Sequence, residues 1–133
     1  MTAGWCAAAR GPGGRRYAYG DDYDVARCNT FDTHIRRTTP VGVFPGGETP
    51  EGVVDLTGNT WDWTGSLYQP YPYNAADDRE NPAVDDRRVL RGGAWRVPAV
   101  YARAAYRNRL HPAGRLDYLG VRVVVGLSPI SEH

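Results

Sequence analysis

Arg91-Gly92-Gly93-Ala94-Trp95 and Gly120-Val121-Arg122 are the two short motifs around which this chain of 133 residues is organised. The stretch between them, 96–119, follows neither a helical nor a two-residue hydrophobic period. Arginine and tyrosine recur along it, and these side chains supply much of the contact energy at recognition surfaces. The pattern predicts an irregular surface, anchored by arginines, between short strands at Val89–Leu90 and Val121–Val125. The alternative is that the arginines only pair with carboxylates and so stabilise a coil-rich fold.

Length and charge limit the classes of protein to consider. A chain of 133 residues is long enough for one domain, 1–133, with a single core. The 16 basic residues, all arginine, nearly balance the 15 acidic ones, so long-range attraction favours neither nucleic acid nor an anionic membrane as a partner. The sequence contains no apolar run long enough to span a membrane, and its first residues do not form a signal peptide. If the chain is complete, this predicts a cytoplasmic protein.

Local patterns predict a few short elements separated by loops. Trp5–Arg10 has the pattern of a helix end, because a glycine and a proline follow its last arginine, and we expect the helix to begin upstream. Thr38–Pro45 predicts an edge strand bounded by prolines. Residues 61–63 alternate as in a half-buried strand, whereas 68–88 is polar and predicts a long loop. We expect the tail, 127–133, to be disordered.

The paired glycines of the first motif need a conformational explanation. Two glycines alone are weak evidence for a phosphate-binding turn. Gly92 and Gly93 more simply indicate close backbone approach or positive φ angles. On this interpretation they allow Trp95 to enter the core.

Five ordered motifs resemble the formylglycine-generating-enzyme (sulfatase-modifying factor) family. The matching motifs are Gly58-Asn59-Thr60-Trp61-Asp62-Trp63, Arg91-Gly92-Gly93-Ala94-Trp95, Arg103-x-Ala105-x-Arg107, Pro112-x-x-Arg115 and Gly120-Val121-Arg122. The resemblance implies an α+β, C-type-lectin-like domain, coil-rich with short strands. Because the family domain extends well upstream of the motif that matches Trp5, the resemblance also implies a chain truncated at its N-terminus. Either the chain is a fragment, or it is a compact minimal form, or another chain supplies the rest.

The residues that would support the family's copper chemistry are absent. Catalytic members resemble one another in holding copper(I) with two cysteine thiolates, the soft ligands this ion requires, just after the Arg-Gly-Gly motif. Here 96–102 contains no cysteine, the family's serine is Ala94, and Cys6 and Cys28 lie in other motifs. The iron-dependent sulfoxide synthases of the same family need a histidine triad that this sequence also lacks. The resemblance therefore implies no copper and no enzymatic activity.

The family's calcium positions are better matched. One site would use the carboxylates of Asp55 and Asp62 with the main-chain oxygens of Gly58 and Thr60, a set of hard oxygens that suits calcium. A second site would use Asn29 and Thr30. The ion would be structural. The alternative is that these aspartates only accept hydrogen bonds from loop amides.

The segment between the two motifs has a second resemblance, to the variable proteins of diversity-generating retroelements. These use the same lectin-like fold and diversify this C-terminal segment to bind different ligands. Four arginines at family-match positions would be structural partners of the aspartates: Arg103, Arg107, Arg115 and Arg122. The residues between them vary in size and polarity and form the candidate ligand-binding set: Arg96, Val97, Ala99, Tyr106, Asn108, Arg109, Leu110, Gly114, Leu116, Asp117 and Tyr118.

We therefore predict a non-catalytic domain that presents residues 96–118 to a protein or other macromolecular ligand. Other domains of a longer chain, or a second copy of this one, are further candidate partners. One alternative is a degenerate or partial enzyme related to the formylglycine-generating oxidases or the sulfoxide synthases. Another is a structural module of a larger signalling protein.

Overall fold

A computed structural model of the chain describes residues 2–125 and contains one helix and one four-stranded sheet. The helix, α1, spans Thr2–Arg10. The strands are β1 at Trp61–Leu67, β2 at Arg88–Arg91, β3 at Asn108–Leu110 and β4 at Leu119–Gly120. Single turns of 3-10 helix lie at Val25–Arg27, Phe31–Thr33 and Ala99–Ala102. The remaining described residues are turns and coil, so the predicted α+β, coil-rich class is confirmed.

Helix α1 ends where the sequence predicts. Gly11 adopts a φ of +60°, and its amide donates to the Ala7 carbonyl at 2.9 Å, which closes the last turn. Trp5 and Ala9, one turn apart, are buried on the inner face. They form a cluster, here called the helix cluster, with three residues from elsewhere in the chain: Ala18, Leu56 and Ala104.

The sheet has the strand order β3-β2-β1-β4. Strands β1 and β2 are antiparallel, with Asp62 opposite Arg91 and Trp63 opposite Leu90. Strand β3 is antiparallel to β2, and the two-residue β4 pairs in parallel with the start of β1. Strands β2 and β4 are therefore the two neighbours of β1. The Arg-Gly-Gly motif begins at the end of β2, and the Gly-Val-Arg motif begins at the end of β4.

Strand β1 is covered on both faces at its start. Trp61 is 1% exposed and packs with Leu90 and Ala94 in a second cluster, here called the sheet cluster. Asp62, the next residue, is 4% exposed and points to the opposite face, where its side chain contacts Trp5. The predicted strand is confirmed, but it is more deeply buried at its start than the half-buried pattern suggests.

Two predicted strands are wrong. Thr38–Pro45 forms turns, because Gly42 has a φ of +74° and its amide donates to the Asp55 carboxylate instead of a neighbouring strand. Val121–Val125 has the β-branched composition of a strand but no strand partner among residues 2–125, and four of its side chains are 79–86% exposed. The last strand pairing in the described chain is that of β4, Leu119–Gly120, with β1, just before this segment. The predicted long loop is confirmed, since the described stretch 68–87 contains neither helix nor strand.

Gly92 and Gly93 have φ angles of +95° and +75°, so the predicted positive-φ turn is confirmed. A Cβ on Gly93 would lie 2.7 Å from the Ala102 Cβ, which leaves no room for a side chain. The expectation that the turn buries Trp95 is wrong. Ala94 is the fully buried residue, and Trp95 is half-buried.

The predicted tail, 127–133, lies outside the described residues. Within the part that the structure describes, no helix has the length and apolar character needed to cross a bilayer.

Candidate ligand-binding surface

The segment that starts at the Arg-Gly-Gly turn is fixed at its base by backbone hydrogen bonds to the chain before β1. The Gly58 amide donates to the Gly92 carbonyl at 2.7 Å, and the Trp95 amide donates to the Asn59 carbonyl at 2.9 Å. Asn59, with a φ of +70°, also accepts at its side chain from the Thr39 amide at 2.9 Å. The two glycine-containing motifs therefore support each other directly.

Arg91 fixes the middle of the same segment. This side chain is 1% exposed, and its guanidinium donates to the Ala105 and Tyr106 carbonyls at 2.9 and 3.1 Å. A planar guanidinium can hold two carbonyls in a defined geometry, which makes this contact a rigid link between β2 and the approach to β3.

The arginines predicted to pair with aspartates mostly contact main-chain carbonyls instead. Arg122 does pair with Asp62, at 3.4 Å. Arg103 donates to the Val100 carbonyl, Arg107 to that of Gln69, and Arg115 to those of Pro112 and Gly114. The prediction is therefore wrong for three of the four. A coil-rich fold leaves many carbonyls without a ladder partner, and arginine supplies the donors.

The eleven candidate positions all lie outside the buried core. Four are exposed: Arg96, Arg109, Leu116 and Asp117. Seven are half-buried: Val97, Ala99, Tyr106, Asn108, Leu110, Gly114 and Tyr118. In the same stretch of chain, Ala94, Ala102 and Ala104 are at most 1% exposed. Core and surface positions are thus interleaved along one segment.

Four half-buried apolar candidates pack around the sheet cluster and are here called the apolar patch. Val97, Tyr106, Leu110 and Tyr118 all pack against the sheet cluster. Trp63 and Tyr101 extend the patch: Trp63 contacts the same cluster, and the Tyr101 ring lies 5.1 Å from that of Tyr106, edge to face. Both are absent from the set predicted from the sequence. Trp63 precedes the segment in sequence, and β1 brings it alongside.

Charged side chains border this patch. Arg96 and Asp117 form an ion pair at 3.6 Å, with 59% and 67% of their side chains exposed. The Arg96 guanidinium also lies over the Tyr118 ring at 5.7 Å. Arg109, by contrast, lies over the Tyr68 ring at 4.7 Å, on the face of β3 opposite to Asn108 and Leu110, and so does not border the patch. The arrangement, an apolar centre with a polar rim, is typical of protein-binding surfaces.

The remaining candidate positions lie at the edge of the patch on different local structures. Asn108–Leu110 forms β3, so part of the predicted irregular surface is a regular edge strand. The Ala99 amide donates to the Asp32 carboxylate at 2.9 Å. A Cβ added at Gly114 would lie 2.5 Å from Leu110 Cδ2, so a larger residue there would displace the leucine.

Comparison with protein-family models identifies the family of this chain. The sulfatase-modifying factor enzyme 1-like domain matches residues 1–127. The chain belongs to this family. The resemblance inferred from the five motifs is therefore confirmed.

Relatives of this sulfatase-modifying factor domain include both an enzyme and an inactive protein. Hercynine oxygenase of Mycolicibacterium thermoresistibile is 35% identical over 117 residues, which cover 82% of this chain and 26% of that protein. The inactive C-alpha-formylglycine-generating enzyme 2 of Bos taurus is 32% identical over 139 residues, covering 92% of this chain and 42% of that protein. The chain thus spans less than half the length of either relative.

Among solved structures, Treponema denticola variable protein 1 has the same fold. It superposes with a TM-score of 0.74 over 91% of this chain and 44% of that chain, at 24% identity. At that level of identity, the likeness establishes the fold.

At the first predicted calcium position, both aspartates accept hydrogen bonds from protein donors. The Asp62 carboxylate accepts from the Trp5 indole at 2.8 Å and from Arg122 at 3.4 Å. Asp55, with a φ of +55°, accepts from the Gly42 amide at 2.7 Å. Burial raises the pKa of Asp62 above its ordinary value, and the donors from Trp5 and Arg122 only partly oppose that shift. The Arg122 guanidinium therefore supplies a positive charge beside the Asp62 carboxylate.

Gly58 and Thr60, whose main-chain oxygens complete that predicted set, lie close to the two aspartates in the chain. A side chain on Gly58 would collide with the Asn29 backbone, and the Thr60 side chain packs directly against Gly120. Among residues 2–125, no three His, Cys, Asp or Glu side chains form a group that could hold a metal ion.

The second predicted position fits a cation better. Asn29 is 1% exposed, and its amide nitrogen donates to the Arg37 carbonyl at 2.8 Å. Its Oδ1 is buried without a donor among the described residues. Thr30 is fully buried, and its hydroxyl lies 2.7 Å from that of Tyr23. A buried oxygen without a donor is the kind of group that a hard cation would satisfy.

Neither cysteine lies at the position of the family's copper site. Both are free thiols. Cys6, on α1, packs against the helix cluster. Cys28 is 1% exposed, and burial raises the pKa of its thiol, which favours the protonated form over the thiolate that metals and nucleophilic chemistry require.

Proposed function

We propose that this sulfatase-modifying factor domain is a non-catalytic module that binds a protein ligand through the patch formed by residues 96–118. One observation carries the proposal: all eleven candidate positions lie outside the core, although buried scaffold residues alternate with them along the chain. Such an arrangement allows the four exposed side chains to change without loss of the fold, whereas half-buried side chains such as Tyr106 also support the sheet cluster.

The chemistry of the patch also supports a protein ligand. Half-buried aromatic and aliphatic side chains, with charges at the border, are the composition of an interface centre and its rim. Strand β3 and the hydrogen bonds from Arg91 to the Ala105 and Tyr106 carbonyls fix the backbone beneath the patch. The patch is therefore pre-organised, and little conformational entropy is lost when it binds a ligand.

The names of the relatives support both a binding and an enzymatic reading. The structural neighbour is called a variable protein, and one curated relative is called inactive. The similarity to hercynine oxygenase favours the enzymatic alternative, in which this chain would be one part of a longer enzyme. As a partial enzyme that acts only together with the rest of its domain, the alternative predicts oxygen consumption when the chain and that remaining part are supplied together with hercynine, a thiol co-substrate and ferrous iron. Our proposal predicts no consumption above a boiled control.

A pair of display libraries tests the binding proposal. The first randomises the four exposed candidates, Arg96, Arg109, Leu116 and Asp117. The matched control randomises four buried positions of the same region, Arg91, Ala94, Ala102 and Ala104. We expect most clones of the first library to resist protease as the parent does, and binders to a test protein such as lysozyme to be selectable from it. We expect the control to consist mainly of unfolded clones. Equal loss of protease resistance in both libraries would refute the proposal.

We also propose that any structural calcium ion is held at Asn29 and Thr30 in preference to Asp55 and Asp62. The buried Asn29 Oδ1 without a donor supports this choice. The ion would satisfy that oxygen together with main-chain oxygens of the loop. At Asp62, Arg122 supplies the positive charge instead.

A further inference from the structure

A cleft lined mainly by arginines lies where the turn after α1 meets the chain leading to β3. Its volume is about 400 Å³. Five arginines line it: Arg10, Arg15, Arg16, Arg103 and Arg107. No aspartate or glutamate is among its lining residues, whereas the whole chain has 15 acidic residues against 16 basic ones. The cleft therefore concentrates positive charge in a protein that is nearly neutral overall.

Nearby carboxylates neutralise little of this charge. Arg15 lies 3.7 Å from Glu51, whose side chain is 61% exposed, so water screens that pair. Asp21 accepts from the Arg16 backbone amide at 3.0 Å. Like charges gathered in a concave site raise the local potential and attract anions.

Backbone hydrogen bonds fix the main chain that carries these arginines. The Arg15 amide donates to the Arg10 carbonyl at 2.8 Å, and the Ala104 amide donates to the Arg16 carbonyl at 2.7 Å. These two bonds fix both sides of the cleft relative to α1.

Arg107 is the most constrained of the five. Its guanidinium lies 4.6 Å from the centre of the Tyr68 ring and 4.0 Å from that of Tyr71, and one nitrogen donates to the Gln69 carbonyl at 2.8 Å. A group held in this way loses little freedom when it binds.

One buried donor in the wall lacks an acceptor. Arg15 Nε is buried and makes no hydrogen bond within the described part of the chain. A terminal nitrogen of the same guanidinium donates to the Ala8 carbonyl at 3.1 Å, so protein contacts fix its orientation.

We propose that this cleft binds a small, multiply charged oxyanion of the pyrophosphate type. Guanidinium groups recognise phosphate oxygens through paired, charge-assisted hydrogen bonds, and five of them exceed what a singly charged ligand could use. The cleft shares the chain segment 103–107 with the proposed protein-binding region, but of the eleven candidate ligand-binding positions only Tyr106 lines it. The inference does not rest on the proposed function.

Calorimetric titration of the full chain with pyrophosphate at low ionic strength tests the proposal. We expect one binding site, weakened by added salt and bound more weakly by inorganic phosphate. The double variant Arg16→Gln/Arg103→Gln removes two exposed cleft charges and should reduce the affinity about tenfold or more. Arg10→Gln, at the exposed end of α1, is a second variant with the same expected direction should the double variant fold poorly.

The matched control is Arg36→Gln/Arg87→Gln, which removes two exposed arginines outside the cleft. It should bind pyrophosphate as the parent does. The proposal is overturned if the parent shows no binding at millimolar pyrophosphate, if the control weakens binding as much as the cleft variant, or if phosphate binds as tightly as pyrophosphate. A failure here leaves the library test of the protein-binding patch unaffected.

Discussion

Replacing Asp62 with alanine tests whether the contact between α1 and β1 supports the whole scaffold. Asp62 is 57 residues from Trp5 in sequence, and its carboxylate accepts from that indole at 2.8 Å. The same oxygen lies 3.4 Å from Arg122 Nε, and Arg122 also donates to the Val54 and Asp55 carbonyls. One carboxylate thus links the helix, the central strand and the chain after β4.

The expected cost follows from the groups left behind. A buried indole N–H without an acceptor costs about 1–3 kcal/mol. Removing one partner of a buried ion pair costs about 3–5 kcal/mol, but Arg122 is 28% exposed at its side chain and keeps two carbonyl acceptors, so its share is smaller. The net burial penalty on Asp62, shown by its raised pKa, is relieved at the same time. We expect a loss of about 2–3 kcal/mol in the free energy of unfolding.

Urea denaturation followed by tryptophan fluorescence measures this loss. Asp117→Ala is the matched control, because it removes a carboxylate whose ion pair with Arg96 is mostly exposed, and it should cost less than about 0.5 kcal/mol. Asp62→Asn keeps an acceptor for Trp5 and should fall between the two. If Asp62→Ala were no less stable than Asp117→Ala, the proposed role of this carboxylate would be refuted.

Further predictions concern the same scaffold. Because the pKa of Asp62 is raised, its contribution to stability is present below its ordinary pKa of 3.8 and is lost as pH rises through the folded pKa. The stability of the parent relative to Asp62→Asn should therefore fall as the pH is raised from its ordinary pKa through the folded pKa, and urea midpoints that rise over that range would contradict this. If calcium is bound, a chelator should lower the melting temperature of the parent and leave Asn29→Ala unaffected, whereas an unchanged parent curve would exclude the ion under those conditions. Gly93→Ala should lower the free energy of unfolding by about 1–3 kcal/mol, because Gly93 has a φ of +75° and Ala102 leaves no room for a Cβ. A melting temperature equal to that of the parent would contradict this. Tyr106→Ala should destabilise the domain, because this ring packs against the sheet cluster. Leu116→Ala should leave the stability unchanged, because Leu116 is 43% exposed. Equal melting curves for the two variants would show that Tyr106 does not support the sheet cluster.

The sequence motifs predict the centre of the fold well, because each one has a local conformational requirement. Gly92 and Gly93 require positive φ, and the tryptophan-containing motif before them requires a strand. The structure places these two motifs opposite each other, with Asp62 paired to Arg91. The helix end at Arg10 is likewise fixed by the glycine that follows it.

The errors arise where a residue's partner is distant in sequence. Val121–Val125 has strand-forming side chains, but strand formation also needs a neighbouring strand, which the described part of the chain does not offer. Arg107 was expected to pair with an aspartate, and only the folded chain brings the Gln69 carbonyl to it. The half-buried state of Tyr106 and Leu110 depends on their packing against the sheet cluster, which hydrophobic periodicity within the segment does not reveal.

The arginine cleft is also hidden in the sequence. Its arginines come from two regions, 10–16 and 103–107, that a backbone hydrogen bond between Ala104 and Arg16 brings together. The second region was expected to pair with aspartates. The number of arginines alone gives no indication of which ones share a cavity.

Sequencing this gene and its 3′ flank from many cells of the source population tests the central claim most directly. If residues 96–118 are displayed for variable binding, differences should concentrate at the eleven candidate positions between unchanged flanking motifs. A near-copy of the segment should also lie downstream as a template. Buried positions such as Ala94 and Ala102 should stay constant. An invariant segment without a template copy would contradict the claim that this surface is diversified to bind different ligands.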